Sequence, residues 1–193
     1  MVNLKYDAQG LAPAVVVHAA TGEVLTVAYV NEASLRKTEE TGETWFWSRS
    51  RQALWHKGET SGNVQKVVSL AADCDADALV VRVLPQGPAC HRNTPTCFDG
   101  PSGGAVAELD GVLAQRAKDL PDGSYSTKLL KDSNLRIKKI GEEGAEFLQA
   151  LLTGSDERAV EEAADLFYHV AVALRARGLT LAQLQAELLK RAK

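Results

Sequence analysis

The hydrophobic rhythm of this chain changes at Asp99-Gly-Pro-Ser-Gly-Gly104, and no one layer of secondary structure can satisfy both sides of the change. Before it the apolar residues come in short β-rich runs punctuated by turns. Ala14–His18 and Val24–Val30 flank Ala20-Thr21-Gly22-Glu23, which predicts a hairpin. Asn31 is placed to cap a short helix that ends at Gly42, with Leu35 facing inward. Thr44–Ser48, Val64–Leu70 and Ala78–Leu84 read as further strands, and after Pro85 a loop rich in Pro, Asn and Thr carries Cys90 and Cys97. Beyond the break the period becomes helical. Val106, Leu109, Leu113 and Ala117 mark one helix, stopped by Pro121-Asp122-Gly123, and Ser124–Lys131 a short second one. Leu135, Ile137, Ile140, Phe147 and Leu151 mark a long third helix that ends at Thr153-Gly154-Ser155. Glu157–Arg177, closed by Gly178, and Thr180–Ala192, capped by Thr180, complete the set. The segment 99–104 is small and flexible and has no apolar stripe, as a linker requires. The expected architecture is a β-rich α+β domain at 1–100 followed by an all-α domain at 105–193.

Charge narrows the function. Twenty-two basic and 25 acidic side chains in 193 residues give a net charge of -3. The two halves divide these almost evenly, so neither is basic enough to suggest a nucleic-acid partner. No apolar run reaches the roughly 18 residues that span a bilayer, so no membrane partner is expected. Met1 to Gln9 contain Asp7 and no apolar stretch, which argues against a signal peptide and for a cytoplasmic location. Three cysteines, an odd number, suit free thiols or metal ligands better than a disulfide framework.

Those three, Cys74, Cys90 and Cys97, all fall within one short stretch. Thiolates are soft ligands, and three with one open position suit catalytic Zn²⁺; inert buried thiols are the other reading. Adjacent His91 has the chemistry of a fourth ligand or of an acid/base group. Around Cys74, Asp73-Cys-Asp-Ala-Asp77 taken as extended chain would line Asp73, Asp75 and Asp77 along one face, with Cys74 on the other. Three carboxylates there suit a hard cation, Mg²⁺ beside a phosphorylated substrate, or are simply solvated. Upstream, Arg49, Arg51, Lys57, Thr60, Ser61 and Asn63, with Gly58 and Gly62, are what a phosphate pocket uses, and Trp47 or Trp55 offers a face for a base. His56 lies in the same stretch.

The second candidate site is helical. Glu142, Glu143 and Glu146 share a flank, and Glu162 and Asp165 repeat the i, i+3 spacing on the next helix, with His169 at i+4 from Asp165. Two antiparallel helices so marked would pool five carboxylates around Mg²⁺, as helix bundles do. Lys128, Arg136, Lys138 and Lys139 add positive charge for phosphates. The plainer reading is a solvated face with ion pairs, Lys138 with Glu142 and Arg158 with Glu162 having the spacing.

Phe46-Trp-Ser-Arg-Ser-Arg51, Leu54-Trp-His-Lys-Gly-Glu-Thr-Ser-Gly-Asn63, Asp73-Cys-Asp-Ala-Asp77, Gly87-Pro-Ala-Cys-His91 and Cys97-Phe98 together closely resemble phosphoribosyl-AMP cyclohydrolase. Gly123-Ser-Tyr125, Lys138-Lys-Ile-Gly-Glu-Glu143, Glu146 and Glu162-Ala-Ala-Asp-Leu-Phe-Tyr-His169 resemble phosphoribosyl-ATP pyrophosphohydrolase, one of the all-α nucleotide pyrophosphohydrolases. The resemblance covers nearly the whole chain and implies a two-step hydrolase of histidine biosynthesis. The C-terminal half would release pyrophosphate from phosphoribosyl-ATP. The N-terminal half would then open the adenine N1–C6 bond of phosphoribosyl-AMP with zinc-activated water. It further implies Cys74, Cys90 and Cys97 as Zn²⁺ ligands shared across a homodimer. Asp73, Asp75 and Asp77 become Mg²⁺ ligands, and so do Glu142, Glu143, Glu146, Glu162 and Asp165. His91, then His56, are the implied proton carriers of the first half, and Glu143 the catalytic group of the second. Two positions depart from the pattern: Arg92-Asn93 follows His91 where Thr-Gly is expected, and Gly144 stands where Ala is usual. Neither removes a ligand. The competing expectations are a chain with one active half, or a nucleotide-binding metal protein without turnover.

Overall fold

In the computed structural model the chain divides into two compact units, Met1–Gly104 and Ala105–Lys193. Residues 2–100 and 102–191 are described, so Met1, Pro101 of the expected linker and the Ala192 end of the last expected helix lie outside them.

The first unit is built on the expected hairpin, β1 (Ala12–His18) against β2 (Val24–Val30). Asn31 then starts α1 (Glu32–Thr41) with a reciprocal cap: its side chain accepts from the Ser34 N–H at 2.9 Å, and its own N–H donates to Ser34 Oγ at 2.9 Å. Gly42, at φ 69°, closes the helix in the left-handed conformation that a side chain disfavours. β3 (Trp45–Ser48) pairs with β4 (Ala53–His56), a strand not anticipated from the sequence because its four residues sit among polar turn formers. β5 (Gln65–Ala72) and β6 (Leu79–Pro85) finish the unit.

The main sheet runs β2-β1-β6-β5, with β1 and β6 parallel and the other pairs antiparallel. Strict alternation sends Leu79, Val81 and Val83 of β6 and Ala12, Ala14 and Val16 of β1 to one face. There they meet Leu25, Leu35 and Phe46 in a single core. The β5–β6 connection corrects one expectation: Asp73 to Asp77 form a turn, not an extended strand, with Ala76 at φ 64°. The chain must reverse there to keep Ala72 opposite Leu79.

The second unit is all helix: α2 (Ala105–Asp119), α3 (Tyr125–Lys131), α4 (Ser133–Thr153), α5 (Asp156–Ala176) and α6 (Leu181–Arg191). Its core is Leu113, Leu129, Ala171, Val172 and Leu181. Full burial of each leucine contributes roughly 1.5–3 kcal/mol. Thr180 caps α6, accepting from the Gln183 N–H at 3.1 Å, and Gln183 returns the contact. Ile137 and Leu151, two of the apolar residues that mark α4 in the sequence, are exposed. The inner stripe at this level belongs to α4's polar side: Glu143 is buried, and with it Glu162 of α5. Arg136, read above as a phosphate ligand, donates to the carbonyls of Leu129 and Leu130 and so caps α3.

Gly144 sits inside α4 with nothing within 4 Å of where a methyl would stand. Gly144→Ala is therefore expected to stabilise the helical unit by up to about 1 kcal/mol, the helix-propensity difference. Thermal or urea unfolding followed by circular dichroism checks this; a lowered midpoint would show that the methyl meets something unforeseen.

Candidate functional site

Each unit carries its own cluster of chemistry-bearing side chains. In the first, the loop after β4 and the loop after β6 face each other across a cavity of about 350 Å³. Lys57, Thr60, Ser61 and Asn63 line it from one side, Cys90, His91 and Cys97 from the other, and Trp55 from its floor. Two glycines fix the first loop. Gly58 has φ 94°, and a methyl there would come within 2.5 Å of the Val64 nitrogen; one at Gly87 would come within 2.3 Å of Asn63 Oδ1. Close backbone approach is thus what brings Asn63 against the cysteine loop.

Cys90 is buried and its thiol is pulled down to about 6. The main cause is the backbone N–H of Arg92, which lies 3.5 Å from Sγ, helped by Thr94, the Arg92 side chain and Cys97. Arg92 is itself held by Asp99, 2.7 Å away. An ionised sulfur beside a second thiol suits a soft cation such as Zn²⁺. Cys74 is exposed on the β5–β6 turn, and no trio of cysteines gathers among the described residues.

His56 does not line the cavity. Strand alternation turns it away from Trp55, where it meets Glu43 Oε2 at 2.8 Å and stacks on Trp45 at 4.5 Å. Arg49 lies over the Tyr29 ring at 3.8 Å and lines a second cavity of about 560 Å³ with Trp47, Ser50 and Trp55. Arg51 lines neither, and sits 5.7 Å above Trp55. Trp55 is therefore the one side chain common to both cavities.

Asp73, Asp75 and Asp77 bring carboxylate oxygens within 4.8 Å of one another, gathered by the turn and not by strand alternation. Asp73 Oδ1 also accepts from the N–H groups of Asp77 and Ala78, at 2.9 and 3.1 Å. Those bonds, Ala78's first, hold its carboxyl below the usual range, while repulsion from Asp75 and then Asp73 raises Asp77. Asp73 thus has a turn-holding duty that Asp75 and Asp77 lack.

In the helical unit Glu143, Glu146 and Glu162 converge within 4.8 Å across α4 and α5. Glu142 and Asp165 stay outside that trio on exposed flanks. Burial is what most raises Glu162, opposed by Arg158. One Glu162 oxygen meets the Arg158 guanidinium, and the other, Oε2, is buried without a partner. An orphaned carboxylate oxygen among two more carboxylates has the donor chemistry of a hard divalent cation. Lys139, not Lys138, makes the local ion pairs, with Glu142 and Glu143 both at 3.3 Å. Lys128 and Lys138 are exposed.

Two groups gain an importance that spacing alone did not give them. His169 is buried with Nε2 3.8 Å from Glu143 and 3.5 Å from the Tyr125 hydroxyl. Burial lowers its pKa, with Glu143 opposing, so the ring is neutral at pH 7. Arg158 forms the expected pair with Glu162, and the Glu162 end of that pair is buried and belongs to the carboxylate cluster, while Arg158 reaches it from solvent.

Comparison with known proteins gives two family matches, one in each unit. The family model for phosphoribosyl-AMP cyclohydrolase matches residues 26–99, and that for phosphoribosyl-ATP pyrophosphohydrolase matches residues 106–192. The histidine biosynthesis bifunctional protein HisIE of Bacillus subtilis is 48% identical over 188 residues, covering 93% of this chain and 90% of that protein. The protein of the same name from Thermus thermophilus is 46% identical over 185 residues, covering 92% and 86%.

A thiol that ionises near pH 6 reacts as thiolate at neutral pH. In metal-free protein, Cys90 is expected to label with iodoacetamide with its midpoint near pH 6, against about 8.5 for an ordinary thiol, read by peptide mass spectrometry. A midpoint at the ordinary value would remove the role given to the Arg92 N–H.

Proposed function

Because this chain belongs to the bifunctional histidine-biosynthesis hydrolases, with a phosphoribosyl-AMP cyclohydrolase half followed by a phosphoribosyl-ATP pyrophosphohydrolase half, we propose how its own residues divide the two reactions. The C-terminal half hydrolyses phosphoribosyl-ATP to phosphoribosyl-AMP and pyrophosphate. The N-terminal half adds water at C6 of the adenine and breaks the N1–C6 bond. What carries the division of labour is that each unit holds a separate cluster: thiols and a histidine in one, three carboxylates, two of them buried, in the other.

In the N-terminal half Cys90 and Cys97 hold Zn²⁺, and Cys74 of a second copy completes the set in a homodimer. The exposure of Cys74, away from the other two thiols, supports that sharing. Zinc would supply Lewis-acid activation of the attacking water. Trp55 offers its face to the adenine, and Lys57, Thr60, Ser61 and Asn63 hold phosphate oxygens across the cavity. His91 delivers the proton that N1 needs as it leaves. Arg49 and Arg51 act further out, beside Tyr29 and Trp55, as charge for a second phosphate. Asp73, Asp75 and Asp77 hold Mg²⁺ at the turn. His56, paired with Glu43, supports β4 and takes no proton from the substrate.

In the C-terminal half Glu143, Glu146 and Glu162 hold Mg²⁺, with Glu142 and Asp165 at its margin. The cation supplies charge for the bridging phosphates, and Lys128, Lys138 and Lys139 meet the outer oxygens. Glu143, beside the neutral His169, takes the proton of the water that attacks the α-phosphorus, and pyrophosphate leaves. Nucleotides are the partners in both reactions, and the cytoplasm the compartment.

Product analysis by mass spectrometry, with phosphoribosyl-ATP, Mg²⁺ and Zn²⁺ supplied, tests the division. Glu143→Gln is expected to slow pyrophosphate release at least about 100-fold, the usual loss of a general base, and to leave ring opening of added phosphoribosyl-AMP intact. Cys97→Ser is expected to do the reverse. Loss of both activities in either variant would overturn it.

A further inference from the structure

Glu162 is buried to 1% exposure, yet its partner Arg158 is a long side chain more than half in solvent. One Arg158 nitrogen meets Glu162 Oε1; the other holds Glu161 at 3.2 Å on the same helix. A cavity of about 310 Å³ opens beside this pair, lined by Arg158 and Glu162 from α5 and by Glu146, Gln149 and Thr153 from α4. The guanidinium therefore borders both the buried Glu162 carboxylate and the cavity.

A divalent cation on Glu143, Glu146 and Glu162 and a guanidinium on the same Glu162 carboxylate repel each other at contact distance. Resting on the assignment of those three carboxylates to the cation, we infer that Arg158 is an exchangeable counter-ion. It neutralises Glu162 in cation-free protein and turns to a phosphate of the substrate once the cation arrives. Arg158 has donors only, and its released fork needs an anion. Glu161 keeps only one of its nitrogens, Glu146 belongs to the cation, and the polar side chains left on the cavity lining, Gln149 and Thr153, are neutral, so a phosphate oxygen is the natural acceptor for the other. Cation and polyphosphate binding are coupled through this one side chain.

The test uses the full chain and Mn²⁺, read by electron paramagnetic resonance. Only the binding that Glu162→Gln removes is counted as the helical site. Arg158→Gln is expected to tighten Mn²⁺ there on the order of tenfold, about what one charge-assisted hydrogen bond is worth. At saturating Mg²⁺ the same variant is expected to raise KM for phosphoribosyl-ATP by a similar factor with a smaller change in kcat, and Arg158→Lys to recover part of the KM. If the pair merely stabilised the helix, its loss in Arg158→Gln would lower the melting temperature and move neither quantity. Unchanged or weaker Mn²⁺ binding in Arg158→Gln, or an unchanged KM, overturns the exchange. If Glu162→Gln removes no Mn²⁺ binding, the assignment of the carboxylates fails, and the exchange with it.

Discussion

A carboxylate held almost wholly out of water between two helices forfeits its hydration, a loss of several kcal/mol that its surroundings have to offset. In the helical unit that carboxylate is Glu162, and the neighbouring groups are arranged around its need. Glu143, also buried, shares Lys139 with Glu142 and stands beside His169, whose own burial keeps the ring neutral. The turn between the helices is held tight by Gly154, where a methyl would come within 2.8 Å of the Ala150 carbonyl oxygen. A looser turn would let α4 and α5 separate and water reach the acids. The geometry that makes the cluster costly is therefore the geometry that makes it attractive to a cation.

The strand-rich unit solves a different problem by different means. Its cavity is shaped by backbone, through Gly58 and Gly87 against the Asn63 segment, and its reactive group is a thiol whose pKa is lowered chiefly by the backbone N–H of Arg92. Soft donors sit in one unit and a largely buried set of hard oxygen donors, Glu143 and Glu162 with exposed Glu146, in the other, each with a separate hydrophobic core. Among the described residues, the one oxygen cluster of the strand-rich unit, at Asp73 to Asp77, is exposed and lies on a turn.

Much of this was legible in the residues, and the exceptions are instructive. The first hairpin, the capped α1 and all five helices follow from local signals: alternation, Asn31 and Gly42, Thr180, and the glycine stops. Strand β4 escaped because four residues bounded by polar turns carry too little periodicity, and its existence depends on pairing with β3. The aspartate turn escapes local reading because an i, i+2, i+4 spacing fits one face of an extended strand as well as one side of a tight turn, and only the turn gathers the three carboxylates. The choice is made by the β5–β6 register, which is not local. His56 and the cavity residues are sequence neighbours, and only the pleat separates them. On α4, Ile137 and Leu151 have the right spacing for the core but face solvent, because the helix turns its acids inward; apolar periodicity cannot report a buried polar stripe. Of the basic residues assigned to phosphates, Arg136 is spent on the carbonyls that end α3, a demand visible only once both helices are in place.

The parallel pairing of β1 with β6 carries a consequence for how the protein is made. Ala14 must find Leu79, with α1 and four further strands of chain between them, before the central face of the sheet exists. Contacts that distant in sequence close slowly, whereas the α4–α5 hairpin joins neighbours and closes fast. The half of the protein that leaves the ribosome first is thus the half expected to fold more slowly. During that interval Val16 and Leu25 have no β6 to cover them, and nascent chains are most open to mispairing with one another.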